Sequence, residues 1–165
     1  MTLPVLDGFP DDARVWIFGA ERQLDRAETG VLLGAVDDFL SGWAAHGAAL
    51  RAGRAWCYRR FLIVGADTST TPPSGCSIDA LVRVLKEMEN RLGVRFLGNE
   101  AVWYRDRRER IRTASRPEFR ALAESGAVTP ASVVFDNSIT ELTQLRNGLW
   151  EGPAGERWHA AFFCG

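Results

Sequence analysis

Lysine and histidine are scarce in this 165-residue chain, and these shortages exclude a nucleotide-phosphate loop and argue against a metal site. Lys86 is the only lysine among 20 basic residues, and it falls within a helical pattern between Leu85 and Glu87. A nucleotide-phosphate loop needs Gly-Lys-Ser/Thr directly after a strand, so a Walker-type ATPase is excluded. His46 and His159 are the only imidazoles, and the three cysteines show no CxxC spacing. This supply of ligands predicts no metal site.

Long apolar runs and the common catalytic signatures are also missing. The longest apolar stretch, Gly30 to Val36, is far shorter than the ~20 residues of a membrane span, so we expect no membrane association. The N-terminal residues lack the basic start and apolar stretch of a signal peptide, and the odd number of cysteines favours reduced thiols; we therefore expect a cytoplasmic protein. No GxGxxG, GxSxG, HExxH or EF-hand pattern occurs, and we expect no cofactor. A cysteine phosphatase has an arginine six positions after its nucleophilic cysteine. The sixth residue after Cys76 is Val82, and Arg83 is the seventh, so this class is excluded.

The formal net charge of −1 is unevenly distributed along the chain. Residues 51–120 carry a net charge of +7, whereas residues 1–50 and 121–165 carry −5 and −3. The densest basic segment, residues 105–120, contains seven arginines interrupted by Asp106, Glu109 and Glu118. A nucleic-acid-binding face and a solvated hairpin share this pattern. Because a segment rich in charged residues is usually a solvent-exposed surface without a binding role, we expect no nucleic-acid partner.

Composition and hydrophobic periodicity indicate one α+β domain spanning residues 1–165. Apolar residues make up 46% and charged residues 25% of the chain, as in ordinary globular domains. The order of predicted elements is β-α-β-β-α-β followed by β-α-β-α. The first six match a ferredoxin-like split βαβ core with its helices on one face of the sheet, and the rest form a C-terminal extension. The predicted strands are 14–20, 48–51, 54–66, 101–104, 111–114 and 131–135, and the predicted helices are 25–46, 78–92, 115–125 and 140–147.

Turn and cap residues set the expected limits of these elements. Ala52-Gly53 predicts the turn of the hairpin between the second and third strands. Gly47 and Gly93 are the expected C-terminal caps of the first two helices. Cys76 or Ser77 is the expected N-cap of the second helix. The aromatic tail, residues 150–164, is too apolar to remain in solvent, and we expect it to pack on the core.

Six short segments form a recognisable pattern, and they are Arg14–Phe18, Trp43–Gly47, Arg60–Ile63, Ser74–Asp79, Val133–Asn137 and Trp158–Ala160. This pattern resembles a family of small uncharacterised bacterial proteins of about this length, and the similarity spans nearly the whole chain. Members of that family are sometimes labelled "ABC transporter ATPase", a label this sequence does not support because it has no phosphate loop. The resemblance implies no established activity, substrate or catalytic residue.

Cys76 is the candidate nucleophile of a thiol-dependent hydrolase or transferase acting on a small anionic substrate. Backbone N–H groups and the dipole at a helix N-terminus favour a thiolate, whose reference pKa is about 8.5. A nucleophilic thiol also needs a base, and His46 or His159 is the candidate if the fold brings either within hydrogen-bond reach. Asp79 is a candidate to orient that histidine, or it simply favours the first helical turn.

Two functions without catalysis fit the same residues. Ser74, Gly75 and Ser77 belong to a hydroxyl-rich loop that opens a helix, where a phosphate or carboxylate ligand could bind. In this alternative, Cys76 and Ser77 have only a structural role as the helix cap. The third alternative is a homodimer formed through a sheet face or the aromatic tail, with the basic residues 105–120 at its rim.

Overall fold

A computed structural model describes residues 6–45 and 47–164 of the chain. The strands are β1 (Arg14–Ala20), β2 (Ala44–Ala45), β3 (Ala48–Ala49), β4 (Arg51–Cys57), β5 (Phe61–Asp67), β6 (Phe96–Leu97), β7 (Ala101–Arg105), β8 (Ile111–Ser115), β9 (Val133–Phe135) and β10 (Glu151–Pro153). The helices are α1 (Arg26–Ser41), α2 (Gly75–Leu92), α3 (Arg116–Glu124) and α4 (Leu142–Arg146), with 3₁₀ segments at Ala154–Glu156 and Trp158–Phe163. The α+β class expected from the sequence is confirmed. No helix of these residues is both long and apolar enough to cross a membrane.

The first sheet has the strand order β4-β5-β1-β6, with every neighbouring pair antiparallel. α1 leads from β1 to β4, and α2 leads from β5 to β6, so each helical crossover joins two strands with another strand between them. The first sheet therefore consists of two interleaved βαβ units.

The β4–β5 hairpin turns at a different place from the one expected. Cys57 pairs with Phe61, and Arg60 N donates to Cys57 O over 3.0 Å, so the turn lies at residues 58–60. The expected turn at Ala52-Gly53 is wrong because those residues lie inside β4. Tyr58 and Arg59 adopt left-handed backbone angles (φ 56° and 55°) that glycine normally supplies, so no turn residue marks the position in the sequence. Residues 48–49 pair instead with β2.

A second sheet, of order β10-β9-β7-β8, holds the strand that was expected to complete the first one. β7 pairs with β8 and β9, whereas the two-residue strand β6 lies at the edge of the first sheet beside β1. A strand this short gives too little alternation to be seen in sequence. The predicted strands at 101–104 and 111–114 do pair with each other, as expected.

The elements stack in four layers separated by three apolar clusters. Leu62 and Val64 of β5 face α1 and α2, while the alternate residues Phe61 and Ile63 face the second sheet. The outer face of the second sheet packs on α3 and on the aromatic tail, as expected for that tail. β5 is buried on both faces, which explains its uninterrupted apolar sequence.

α1 is shorter than expected. It ends at Ser41 with Gly42 as its C-cap, five residues before the predicted end near His46. Gly47, the expected cap, follows the helix by several residues and has a left-handed φ of 78° between β2 and β3. The chain leaves the helix at Gly42 because Trp43 and Ala45 enter the cluster beneath α1 and α2.

Candidate functional site: a cleft beside α2

The first turn of α2 contains most of the site residues expected from the sequence. Its N-cap is Ser74, whose backbone is extended (φ −96°, ψ 166°). Ser77 N donates to Ser74 Oγ over 3.1 Å, and Ser74 N donates to Ser77 Oγ over 2.7 Å. This capping box starts the helix at Gly75, so the cap expected at Cys76 or Ser77 is wrong by two or three positions.

The capping box engages groups that a ligand at this turn would need. Ser77 Oγ also donates to Ser74 O over 2.7 Å, and Ile78 N donates to the same oxygen over 3.1 Å. Ser77 is buried, whereas Gly75, Cys76 and Asp79 are exposed. The N–H groups at this terminus that lack an intrahelical acceptor are those of residues 74–77, and the capping box already engages those of Ser74 and Ser77.

His159 is not hydrogen-bonded to Cys76. Its ring is fully buried in the 3₁₀ segment on the outer face of the second sheet, stacked on Trp158 with ring centroids 3.9 Å apart. Neither of its nitrogens has a hydrogen-bond partner among the described residues. Burial lowers the pKa of His159 to about 4, although the nearby Asp136 carboxylate acts in the opposite direction. His159 is therefore a neutral imidazole at neutral pH.

His46, the other candidate base, lies outside the described residues. The chain just before it is close to the first turn of α2, because the indole Nε1 of Trp43 donates to Ser77 O over 2.8 Å. Pairing of Cys76 with His46 stays a prediction. Within residues 6–45 and 47–164, no three His, Cys, Asp or Glu side chains are grouped as ligands for a metal ion.

A cleft of about 320 Å³ opens along α2, at the edge strand β6, and we call it the α2 cleft. Its walls come from β1, the middle of α2, the segment 96–99, β7, the segment 135–138 and Trp158. The nearest residue of α2 that lines it is Val82, about 9 Å along the helix axis from Cys76. The cleft is thus a site separate from the first turn of the helix.

Aromatic side chains form much of the wall of the α2 cleft. Phe18, Phe96, Trp103 and Trp158 line it together with aliphatic residues from β1 and α2. Trp103 is held in place because its Nε1 donates to Ala20 O over 3.0 Å. Small-molecule sites are commonly concave, mostly apolar and equipped with a few polar groups, and this cleft has that character.

The polar groups at the α2 cleft are Lys86, Glu89, Asn99, Asn137 and Ser138. Lys86 is exposed and forms no ion pair with a described residue. Glu89 Oε2 accepts a hydrogen bond from Phe96 N over 2.8 Å, which ties the edge strand to α2. One oxygen of the only carboxylate in the cleft is therefore already engaged, while the ammonium group stays available.

Asn137 presents a buried donor without a partner. Its Oδ1 accepts a hydrogen bond from Trp150 Nε1 over 2.8 Å, whereas its Nδ2 is buried and has no partner among the described residues. A buried donor left unsatisfied costs about 1–3 kcal/mol, so a group this isolated calls for an explanation. An acceptor atom of a ligand in the cleft would satisfy it.

Among the described residues that line the α2 cleft, no nucleophile is paired with a base. Ser138 Oγ donates to Asp136 Oδ1. His159 is near Asp136, but its nitrogens are not hydrogen-bonded to Ser138. The arrangement lacks the serine–histidine bond that a catalytic triad requires.

No family model matches the chain, and no curated protein or solved structure matches it significantly. The resemblance to the small bacterial family therefore stays a prediction.

Sequence reasoning missed the α2 cleft. It placed Lys86 within a helical pattern and gave no role to Asn137 or Ser138. Asn137 and Trp158 do lie in two of the six segments that carry the resemblance, but no spacing rule connects them. Residues far apart in the chain form the cleft, so only the packing of the two sheets brings them together.

Proposed function

We propose that the protein binds a small organic anion with a planar apolar body in the α2 cleft. The observation that carries this proposal is the buried Asn137 Nδ2, a donor with no partner among the described residues, in the wall of an aromatic cleft. The volume of about 320 Å³ is near the lower limit for ligand sites, which favours a small molecule.

Charge supports an anionic group on this ligand. Lys86 supplies an unpaired ammonium at the cleft, and Asn137 supplies an amide donor. Trp158 supplies an aromatic surface, and the Arg116 guanidinium lies 4.7 Å from the centre of its ring. Carboxylate is the simplest group that accepts from both an ammonium and an amide.

Binding of 2-naphthoate, measured by titration calorimetry, tests this proposal. We expect Lys86→Met to weaken binding about tenfold, because one charge-assisted hydrogen bond is lost. Arg83→Met is the matched control: it removes the same charge from an exposed position of α2 outside the cleft, and we expect a change of less than about twofold. The neutral 2-naphthamide should bind the native protein more weakly than 2-naphthoate. Equal losses in the two variants would contradict a site at Lys86.

A thiol-dependent hydrolase or transferase with Cys76 as its nucleophile is the second candidate. One observation favours it, namely the Trp43–Ser77 hydrogen bond, which holds the segment leading to His46 beside the turn that carries Cys76. Cys76 is also exposed, as a nucleophile must be. The free thiols of Cys76 and Cys164 support the cytoplasmic location that we propose with either function.

A homodimer receives less support. The surfaces considered for it, the sheet faces and the aromatic tail, pack within the chain in the three clusters. Tyr58 and Leu149 are the large apolar residues that the described part of the chain leaves exposed. We therefore favour binding of a small molecule over self-association as the main function.

A further inference from the structure

A second cleft lies between the β4–β5 turn and the start of β8, and we call it the arginine cleft. Its volume is about 450 Å³, and it shares no residue with the α2 cleft. Four of its lining residues are arginines. Two belong to the turn, one directly precedes β8, and one lies in β8. The full lining is Gln23, Tyr58, Arg59, Arg60, Arg110, Ile111 and Arg112.

Arg60 is a half-buried cation without a counterion among the described residues. Its Nη1 donates to Thr113 Oγ over 2.8 Å, and it forms no ion pair with a described carboxylate. Burial lowers the pKa of Arg60, and the positive charge of Arg112 lowers it further. Charges are normally buried together with a partner of opposite charge. Arg60 lies instead near a second cation, Arg112, and this is the environment expected of a group that binds an anion.

The backbone holds the turn of the arginine cleft in place. Tyr58 and Arg59 both adopt a left-handed conformation, which is unfavourable for residues with a side chain. Leu24 N donates to Arg59 O over 2.9 Å, and Ala20 N donates to Arg60 O over 2.8 Å. Tyr58 Oη donates to Glu151 over 2.6 Å. These bonds anchor the turn before any ligand binds, which lowers the entropy lost on binding.

Asp106 arranges the opposite side of the arginine cleft. The Nε atoms of Arg110 and Arg112 each donate to Asp106 Oδ2 over 3.0 Å. The Nη groups of both guanidiniums form no hydrogen bond with a described residue, and the same holds for the side chain of Arg59. Two of the four guanidiniums therefore pair with one carboxylate, and the other two pair with no described carboxylate. Four positive charges and one negative charge leave a net charge of +3 on these side chains.

We propose that the arginine cleft binds the phosphate group of a small phosphorylated molecule. The guanidinium fork matches phosphate oxygens, and several arginines around one cleft suit an anion with more than one charge. Nucleic acid is the less favoured source of phosphate, because the protein has a net charge of −1 and the anchored turn gives the cleft a defined shape. This site is independent of the ligand proposed for the α2 cleft.

Binding of inorganic pyrophosphate to the full chain, measured by calorimetry at constant ionic strength, tests the proposal. We expect saturable binding with one site per chain, weakened at least about tenfold by Arg60→Gln and by Arg112→Gln, since each removes charge-assisted hydrogen bonds. Arg108→Gln is the matched control, because it removes one charge from an exposed position on the same hairpin outside the cleft. We expect it to change the affinity less than about twofold.

Two further variants guard against loss of folding. Arg59→Gln removes an exposed guanidinium that forms no hydrogen bond or ion pair with a described residue, so it keeps the test open if Arg60→Gln does not fold. We expect Arg59→Gln to weaken pyrophosphate binding and Arg60→Lys to recover part of what Arg60→Gln loses. Circular dichroism and thermal melting establish that each variant is folded.

Three results would overturn the proposal. The first is the absence of saturable pyrophosphate binding. The second is an equal loss in Arg108→Gln and Arg60→Gln, which would show diffuse attraction rather than a site. The third is tighter binding of a single-stranded RNA oligonucleotide than of pyrophosphate, with a loss in Arg108→Gln, which would identify a nucleic-acid surface.

Discussion

The Trp150 indole donates to Oδ1 of Asn137 over 2.8 Å, and this bond leaves the amide nitrogen as the end without a partner among the described residues. Trp150 is itself fixed, because it is buried among the rings of Phe61 and Phe135 between the two sheets. The core between the sheets therefore orients a polar group of the α2 cleft.

Asn137→Asp tests whether the amide nitrogen at this position binds the ligand. Aspartate still accepts the Trp150 hydrogen bond, but it replaces the Nδ2 donor with an oxygen that repels an anion. We expect the affinity for 2-naphthoate to fall at least about tenfold. The free energy of unfolding also falls, because the new carboxylate oxygen is buried without a donor among the described residues. Calorimetry measures the binding, and thermal melting checks the fold.

Asn137→Leu is the comparison for that variant. Leucine leaves the buried Trp150 Nε1 without its acceptor, so we expect the free energy of unfolding to fall by about 1–2 kcal/mol. Unchanged 2-naphthoate binding in folded Asn137→Asp would contradict the assignment of Nδ2 to the ligand.

His159 should make the protein less stable in mild acid. The pKa of its imidazole is about 4 in the folded protein and about 6.5 when exposed, so the unfolded state binds the proton more tightly. The free energy of unfolding should therefore fall by about 2 kcal/mol as the pH drops from 6.5 to 4. Urea denaturation at pH 7 and pH 4.5 measures most of this change.

His159→Phe isolates the contribution of the imidazole from that of the carboxylates, which also titrate in this range. Phenylalanine keeps a ring against Trp158 and removes two buried nitrogens that have no partner among the described residues. We expect the variant to be at least as stable at pH 7 and less sensitive to acid. The same dependence on pH in both proteins would show that His159 is not the group that titrates.

Gly19 allows the backbone of β1 to lie close to Trp103 and Asn137, two residues that line the α2 cleft. A Cβ atom at this position would lie 2.5 Å from Cζ2 of Trp103 and 3.0 Å from Nδ2 of Asn137. We expect Gly19→Ala to lower the free energy of unfolding by about 1–3 kcal/mol, because Trp103 must move. Chemical denaturation measures the loss.

Gly30→Ala is the matched control for that substitution. Gly30 lies within α1, and a Cβ there would meet nothing within 4 Å. Alanine should raise the free energy of unfolding by about 0.5–1 kcal/mol because it is the better helix former. The same Gly→Ala substitution should therefore lower the free energy of unfolding at Gly19 and raise it at Gly30. A similar change at both positions would contradict the packing described around Trp103.

Cysteine alkylation followed by mass spectrometry tests the thiol-dependent candidate. Cys57 should react slowly, because burial and the nearby Glu151 carboxylate raise its pKa to about 11, whereas the exposed Cys76 should react at least about tenfold faster at pH 7. If His46 activates Cys76, His46→Gln slows alkylation at Cys76 and leaves Cys164 unchanged. Equal rates at Cys76 in the native protein and His46→Gln would remove the base from this mechanism.

Local sequence signals located several elements well. The apolar spacing of α2 predicted its helix, and Gly93 ends it with the expected left-handed conformation (φ 62°). The helices predicted from residues 25 and 115 begin at those positions, with Asp25 capping α1 through a capping box with Glu28 and Ser115 capping α3. These predictions succeed because caps and helical periodicity depend on residues within one or two turns of each other.

Prediction failed where a tertiary contact overrides the local preference. The hairpin turn at Tyr58-Arg59 is stabilised by hydrogen bonds from residues 20 and 24, so the local preference for a turn at Ala52-Gly53 does not prevail. β6 has only two residues, and it is a strand because β1 offers a free edge. His159 is one of two candidate bases for Cys76 on the sequence alone, but apolar packing against Phe119 and Trp158 holds it behind the second sheet.

The α+β class, the main helices and the exclusion of a nucleotide-phosphate loop can be predicted without coordinates, because each depends on short-range patterns or on which residue types the chain contains. The two clefts, in contrast, arise from tertiary packing. Lys86, Asn137 and Trp158 meet in one of them because the two sheets pack face to face. Arg60 and Arg112 meet in the other because the β4–β5 turn lies beside β8. Contacts between residues this far apart in sequence depend on how distant segments bury their apolar faces, and no local sequence pattern encodes that packing.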